Sequence, residues 1–267
     1  MTVTSPMPKV GDLLRDWRQR RRLSQLDLAG EAEVSARHLS FVETGRSRPS
    51  RELVLHLAEH LDVPLRERNS LLLAAGYAPT YGERSLDTRE LEPVRQALDK
   101  ILSGHEPFPA VVVDRRWDIV TANAPLMSLI GSVVSPHLLE PPANALRISL
   151  HPDGLAPHIG NLAEYADHLL ARLDRQAAMD GRADLFELAA ELRSYPNVPS
   201  HVENHGDIAD RLFAPLILRF GDGPNLTFFS TIATFGTALD VTVAELAIEQ
   251  FFPADADTAA ALAPLTS

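Results

Sequence analysis

Apolar residues in the first third of the chain recur at helical spacing. Val10, Leu13, Leu14 and Trp17 sit at i, i+3, i+4 and i+7, which predicts an amphipathic helix from about Val10 to Arg22. Ser24 followed by Asp27 forms a capping-box pattern ahead of Leu28, Ala29 and Ala32. Ser35 is placed to cap a third helix that turns Leu39 and Val42 inward and stops at Gly45. Pro49-Ser50 opens a fourth, with Leu53, Val54, Leu57, Ala58 and Leu61 on one face, and a fifth spans about Leu65 to Ala75 before Gly76. Short helices with short connections predict a compact all-α domain.

Beyond Gly76 the pattern changes. Tyr77 to Glu83, with Pro79 and Gly82, reads as a linker, and Asp87 to Gly104 as another helix. Period-two alternation then predicts a hairpin from Ala110–Asp114 and Trp117–Ala122, followed by a short helix over Asn123–Ile130. Leu162, Tyr165, Ala166, Leu169, Leu170 and Leu173 mark a long helix, and Asp184 with Glu187 starts another. Phe213–Phe220 and Leu226–Phe235 flank Gly221-Asp222-Gly223-Pro224, a strong hairpin signal. Ala244–Phe252 alternates like a strand and is expected to close the sheet. Leu226–Phe235 is apolar at both parities, so both of its faces are expected to be covered.

Composition limits the chemistry. With 267 residues, 45% apolar and 23% charged, the chain is long enough for one large or two modest domains, at ~150 residues each. The absence of Cys excludes thiolate metal sites and thiol nucleophiles. No apolar run approaches a membrane span and the first residues lack a signal-peptide pattern, so a cytoplasmic protein without a membrane partner is expected. The net charge of −11 is uneven. Residues 1–84 carry 13 Lys+Arg against 11 Asp+Glu, whereas the rest carry 12 against 25. Arg18, Arg20, Arg21, Arg22, Arg46, Arg48 and Arg51 cluster in the less acidic part, which suits a local phosphate contact better than wholesale nucleic-acid binding.

Helices Ser24–Ala32 and Ser35–Glu43, joined by a tight turn, have helix-turn-helix spacing. Leu23-Ser24-Gln25, Leu28-Ala29, Val34-Ser35, Leu39-Ser40, Glu43-x-Gly45, Arg48-Pro49-Ser50 and Leu57-Ala58 closely resemble the XRE-type, lambda-repressor-like helix-turn-helix pattern over about Val10 to Gly76. Glu33 departs from it, standing where the family usually has Gly. The resemblance implies that Gln25 binds a phosphate. It places Ser35, Ala36, Arg37, Ser40 and Phe41 toward base edges, and Arg46, Arg48 and Arg51 on phosphates. Arg37 suits the O6/N7 edge of guanine. Arg18 and Glu43 match a buried ion pair in that family.

The second part resembles the MmyB-like branch of these regulators over about Leu91 to Ala260. The resemblance rests on Phe108-Pro109-Ala110, Val113-Asp114-Arg115-Arg116-Trp117-Asp118, Thr121-Ala122-Asn123, Asn144-Ala145-Leu146-Arg147, Leu150-His151-Pro152-Asp153-Gly154, Asn161-Leu162 and Phe251-Phe252-Pro253-Ala254-Asp255. That branch implies a PAS-like ligand-binding domain with fatty acids as the ligand class. Arg147 and Asn144 are the candidates for a carboxylate head group, and Trp117, Phe229 and Phe235 for the chain wall. The bland alternatives stay open: Arg147 pairing with a core acid, and Trp117 as plain core.

Catalytic patterns are weak. His201-x-x-x-His205 with Glu203 has metal-like spacing but no apolar helix to carry it, and neither a P-loop nor a nucleophile elbow occurs. The expectation is an α+β protein that is not an enzyme and carries no metal or resident cofactor. It has a five-helix domain over 1–76, a linker over 77–90 and a PAS-like domain over 91–267, whose antiparallel sheet is covered by helices. A homodimer on double-stranded DNA, probed by a small apolar acid, is the leading reading. A second domain that only dimerises or binds a protein, and a flavin or haem sensor, are the alternatives.

Overall fold

The computed structural model describes residues 8–199, 214–221 and 223–263. His201, Glu203 and His205 lie outside them. The chain packs into two compact units, the first made of the residues up to Arg84 together with Ala178–Gly181 and Ala238–Val241.

The first unit is the expected set of five helices: α1 Val10–Arg20, α2 Gln25–Glu31, α3 Ala36–Glu43, α4 Arg51–His60 and α5 Leu65–Ala74. α1 stops two residues before the expected Arg22, which takes a positive φ of 57°. Ser24 and Asp27 form a reciprocal capping box, and Ser35 and Ser50 cap α3 and α4 through the amides of His38 and Leu53. These caps satisfy amides that the first turn leaves without helical partners. Leu14, Trp17, Leu28, Leu39, Val54, Leu57 and Leu72 fill the core. α1 and α3 approach so closely at Gly11 that a Cβ there would stand 2.4 Å from the carbonyl oxygen of Val42. Glu33 has φ 51°, the left-handed conformation for which glycine is the usual residue. A side chain there costs about 1 kcal/mol.

Residues 77–83, expected as a linker, are fastened to this unit instead. Tyr77 Oη donates to Pro49 O at 3.0 Å, Asn69 brackets Thr80 and Tyr81 from both ends of its amide, and Arg66 meets Glu83. The polar composition that suggested a linker supplies these bonds.

The second unit is built on a five-stranded antiparallel sheet of order β2-β1-β5-β4-β3. Its strands are β1 Ala110–Val113, β2 Ile119–Ala122, β3 Leu216–Leu218, β4 Leu226–Thr234 and β5 Ala247–Pro253. The helices are α6 Glu92–Gly104, α7 Ala124–Gly131, α8 Pro136–Leu139, α9 Ala145–Leu150, α10 Leu162–Asp180, α11 Ala183–Arg193, α12 Val241–Ala244 and α13 Ala256–Leu262. The helix expected from Asp87 begins only at Glu92, after a single 3₁₀ turn over Arg89–Leu91, because Pro93 suits the first helical turn.

Two expectations about the sheet change. β5 is its central strand rather than its closing one, paired to β1 on one side and β4 on the other. β4 is covered only in its first half. Leu226 and Phe228 are buried, but 230–234 are exposed, because β3 is only three residues long and reaches no farther than Phe228.

Alternation divides the sheet into two faces. Val112 and Ile248 join Ala110, Leu98, Leu102 and Leu246 in a small core beneath α6. Val111, Val113, Leu218 and Phe228 face a larger core with Ile148, Leu169, Leu173 and Leu188. β1 is therefore buried on both faces. Buried Asn123 ties the edge together: its Oδ1 accepts from Ala110 N and Leu126 N, and its Nδ2 donates to Phe108 O and Leu102 O.

Candidate functional site

The helix domain presents α3 through its N-terminal turn. Ser35, Arg37 and His38 are exposed there, while Ala36, Ser40 and Phe41 are half-buried. Beneath α3 lies a charged brace. Glu43, whose side chain is fully enclosed, accepts from Arg18 Nε and Nη2 at 2.7 and 2.9 Å. Gln25 Nε2 donates to the same carboxylate at 2.7 Å, and Arg15 Nη2 to the Glu43 carbonyl at 2.9 Å. Burial works to raise the Glu43 carboxyl, but the bonds from Arg18 and Gln25 and the charges of Arg18 and Arg15 outweigh it and hold the group below its ordinary value. The brace fixes the end of α3 to α1 and to the start of α2, so the exposed turn is rigidly aimed.

The remaining residues expected at DNA divide into two sets. Arg37 and Arg46 are exposed and lean over the Phe41 ring, 5.4 and 5.9 Å from its centroid, which steadies both guanidinium groups beside α3. Arg48 donates to Ala75 O through Nε and Nη2 and lies over Tyr77, and Arg51 donates to Thr80 Oγ1. These two hold the end of α5 and the segment after it. Gln25 keeps one amide hydrogen beyond its bond to Glu43. His38 was missed in the sequence, although its place directly after Arg37 on a short exposed helix was the available signal.

The sheet domain holds an apolar cavity that opens to solvent, with about 680 Å³ of space free of protein atoms when the open solvent at its mouth is counted. Val111, Trp117, Ile148, Leu169, Leu218 and Phe228 are representative of its wall, which is almost entirely apolar. Trp117 takes φ 67°, rare for a bulky residue, and its ring is held by the bond from Nε1 to Gln176 Oε1 at 3.0 Å. Arg172 lies over that ring at 4.3 Å. The polar side chains on the wall are Ser149, Tyr165 and Glu249, and Ser149 already donates to Ala145 O within its own helix.

The other expected ligand residues do not line this cavity. Phe229 and Phe235 point to the opposite face of the sheet. Phe229 stacks on Phe252 at 5.2 Å, and Phe235 packs against the core under α6. The reason is parity: Phe228, one residue away, is the cavity residue. Arg147 makes a two-pronged pair with Glu191, both bonds 2.7 Å, about 40% of each side chain remaining exposed. Asn144 caps α9 through Leu146 N and Arg147 N and donates to Arg116 O and Asp118 Oδ1. Both line a separate polar cleft with Asp118, Asp184, Glu187 and Glu191, an acidic setting for any carboxylate.

His137, His151 and Asp153 bring potential ligand atoms within 4.8 Å of one another near the surface. Among the described residues, no helix is long and apolar enough to cross a membrane.

Comparison with known proteins agrees with this division. A helix-turn-helix domain model matches residues 9–71, and the model of the MmyB-like transcription regulator ligand binding domain matches residues 94–265. No curated protein matches. A solved structure described as an RNA-binding light-oxygen-voltage receptor is similar at 12% identity over 97% of this chain and 61% of that one, with a TM-score of 0.25. The chain thus spans less than two thirds of that protein, and at such a TM-score the likeness carries no argument. The exposed turn of the braced α3 lies within the first matched region, and the apolar cavity within the second. The chain belongs to the MmyB-like transcription regulators, DNA-binding proteins that join a helix-turn-helix domain to a ligand-binding domain.

Proposed function

We propose that this protein is a cytoplasmic, sequence-specific repressor that binds double-stranded DNA as a homodimer and is modulated by a fatty acid or similar small apolar acid. α3 would enter the major groove, with Arg37 and Ser35 leading and Ala36, Ser40 and Phe41 following. Gln25 and Arg46 would contact phosphates, and Arg48 and Arg51 would reach them only by sharing or giving up their present bonds. A dimer sets two such helices on successive grooves of a pseudopalindrome.

The observation that carries the ligand half is the apolar cavity. A wall with so few polar groups selects for chain length and shape, each enclosed methylene contributing ~0.8 kcal/mol before ordering losses. Ligand and operator then influence each other reciprocally, by about 1–3 kcal/mol.

The test is extraction of the purified full chain followed by mass spectrometry of the released lipid. Operator affinity is then measured with and without the acid found. Recovery of a fatty acid that shifts operator affinity supports the reading. A protein that yields no lipid, and whose operator binding ignores fatty acids of several lengths, overturns it.

A further inference from the structure

The cavity has one polar pole, and its groups are unusually matched. Glu249 belongs to the central strand β5. It lies on the face shared with Val111, Phe228 and Phe251, is 7% exposed, and forms part of the cavity wall. Ser230 Oγ donates to its Oε1 at 2.9 Å from β4. From α10, Arg172 Nη1 stands 4.0 Å from the same oxygen, too far for a hydrogen bond. The buried Tyr165 lines the cavity from the same helix, and its charge environment is set by Glu249 and Arg172. Neither the Tyr165 hydroxyl nor the Arg172 guanidinium makes a hydrogen bond to any described residue.

A hydroxyl and a partly exposed guanidinium, each with hydrogen-bonding capacity left to offer a ligand, thus stand near a single enclosed carboxyl. Both can donate, and a carboxylate supplies two acceptor oxygens. Charge gives the same answer. A ligand amine would place a second cation beside Arg172 and only one anion. A ligand carboxylate sharing one proton with Glu249 leaves a single negative charge on the pair, which Arg172 balances. Burial pushes the Glu249 carboxyl up, and the charge of Arg172 and the bond from Ser230 only partly oppose it, so proton uptake there is favoured.

Resting on the ligand-binding reading above, we propose that Tyr165 and protonated Glu249 hold the carboxylate head group of the cavity's ligand, with Arg172 as the balancing cation. The head group therefore sits against the middle of the sheet, beside Trp117 under Arg172, and the chain follows the apolar wall. Arg147 takes no part.

Binding then takes up a proton. The complex holds one proton between two carboxyls, whereas the free acid is ionised above its usual range. Affinity must fall as pH rises through the range where free Glu249 ionises, by up to about tenfold per pH unit. Among groups facing the pole, Ser230 on β4 and the β1 residues do not titrate in this range. His168, which feels Arg172 from the same helix, is held below its ordinary value by burial and that charge, so it stays neutral above about pH 7.

The experiment uses the full chain with dodecanoic acid, dodecanol and methyl dodecanoate, affinities being measured from about pH 7 to pH 9. The acid is expected to bind about tenfold or more tighter than the ester at neutral pH, and to weaken as pH rises while the alcohol does not. Glu249→Gln, which keeps an acceptor for Ser230 and a donor for the ligand, should retain acid binding and lose the pH slope. Tyr165→Phe should weaken the acid about tenfold and leave the ester unchanged, which separates head-group contact from damage to the wall. Equal affinities for acid and ester, or an acid slope that survives in Glu249→Gln, would overturn the head-group assignment while leaving the cavity as a ligand site. Failure of all three probes to bind would remove the ligand-binding reading itself, and this proposal with it.

Discussion

The helix domain and the sheet domain each contain a two-pronged arginine–glutamate pair of nearly the same geometry, and the two pairs do different work. Arg18–Glu43 is enclosed and holds the recognition helix to its neighbours. Arg147–Glu191 is half open to water and sits in a polar cleft away from the cavity. Geometry alone therefore does not rank an ion pair; burial does. An enclosed carboxylate that loses its partner has no water to turn to, whereas an open one is rehydrated. The same contrast extends to function. The helix domain turns Arg37 and Arg46 outward on a rigid base, and the sheet domain keeps Glu249 and Tyr165 on an inner wall between a strand and a helix.

Removing Arg18 should give the largest effect. Arg18→Ala is expected to destabilise the helix domain by about 3–5 kcal/mol in denaturant melts, because Glu43 stays buried with weaker partners. The pair also makes this domain acid-sensitive. Glu43 has a lowered folded value, so its contribution is complete above the ordinary 4.5 and disappears as pH falls through that folded value. Acid melts of the wild type should show this loss, and Arg18→Ala should flatten it.

Phe228→Ala comes next, at about 3–5 kcal/mol for a fully buried phenylalanine, and it should also enlarge the ligand cavity. Phe229→Ala, on the other face, should leave ligand affinity unchanged. Equal ligand effects at the two positions would show that the parity assigned to β4 is wrong. On DNA, Arg37→Ala is expected to weaken the preferred operator by about 1–3 kcal/mol and relax selection at one base pair. Equal weakening on random DNA in a competition assay would move Arg37 from a base edge to a phosphate. Arg147→Ala should be the mildest, at most about 1 kcal/mol in stability, with no change in fatty-acid affinity. A large loss at Arg147 would erase the contrast between the two pairs.

The helix domain was largely legible in the sequence because its signals are local. Serine caps, the Gly45 stop and the stripe of leucines each act within one or two turns, and all appear where expected. The strands of the sheet domain were legible too, but the ligand wall was only partly so. Trp117 was named and lines the cavity, whereas Phe229 and Phe235 were chosen from a strand apolar at both parities, where nothing local says which face meets the cavity. Glu249 did leave a signal, as a lone acid among Ala247, Ile248, Phe251 and Phe252. Its meaning depends on Tyr165 and Arg172, which reach it from a helix far away in the chain. Arg147 misled because a cation beside apolar residues looks alike whether it awaits a ligand or is already paired.

The central position of β5 has a consequence for how the protein is made. Ala110 of β1 stands opposite Gln250, and Phe229 of β4 opposite Phe252, so among the described residues the two halves of the sheet meet through β5, which follows the other four strands in the chain. The helix domain, built from near neighbours, can close while the rest of the nascent chain is still emerging. Until β5 arrives, β1 and β4 each present an unpaired edge, and one wall of the cavity is missing. The cavity is thus completed later in synthesis than the five helices of the first unit.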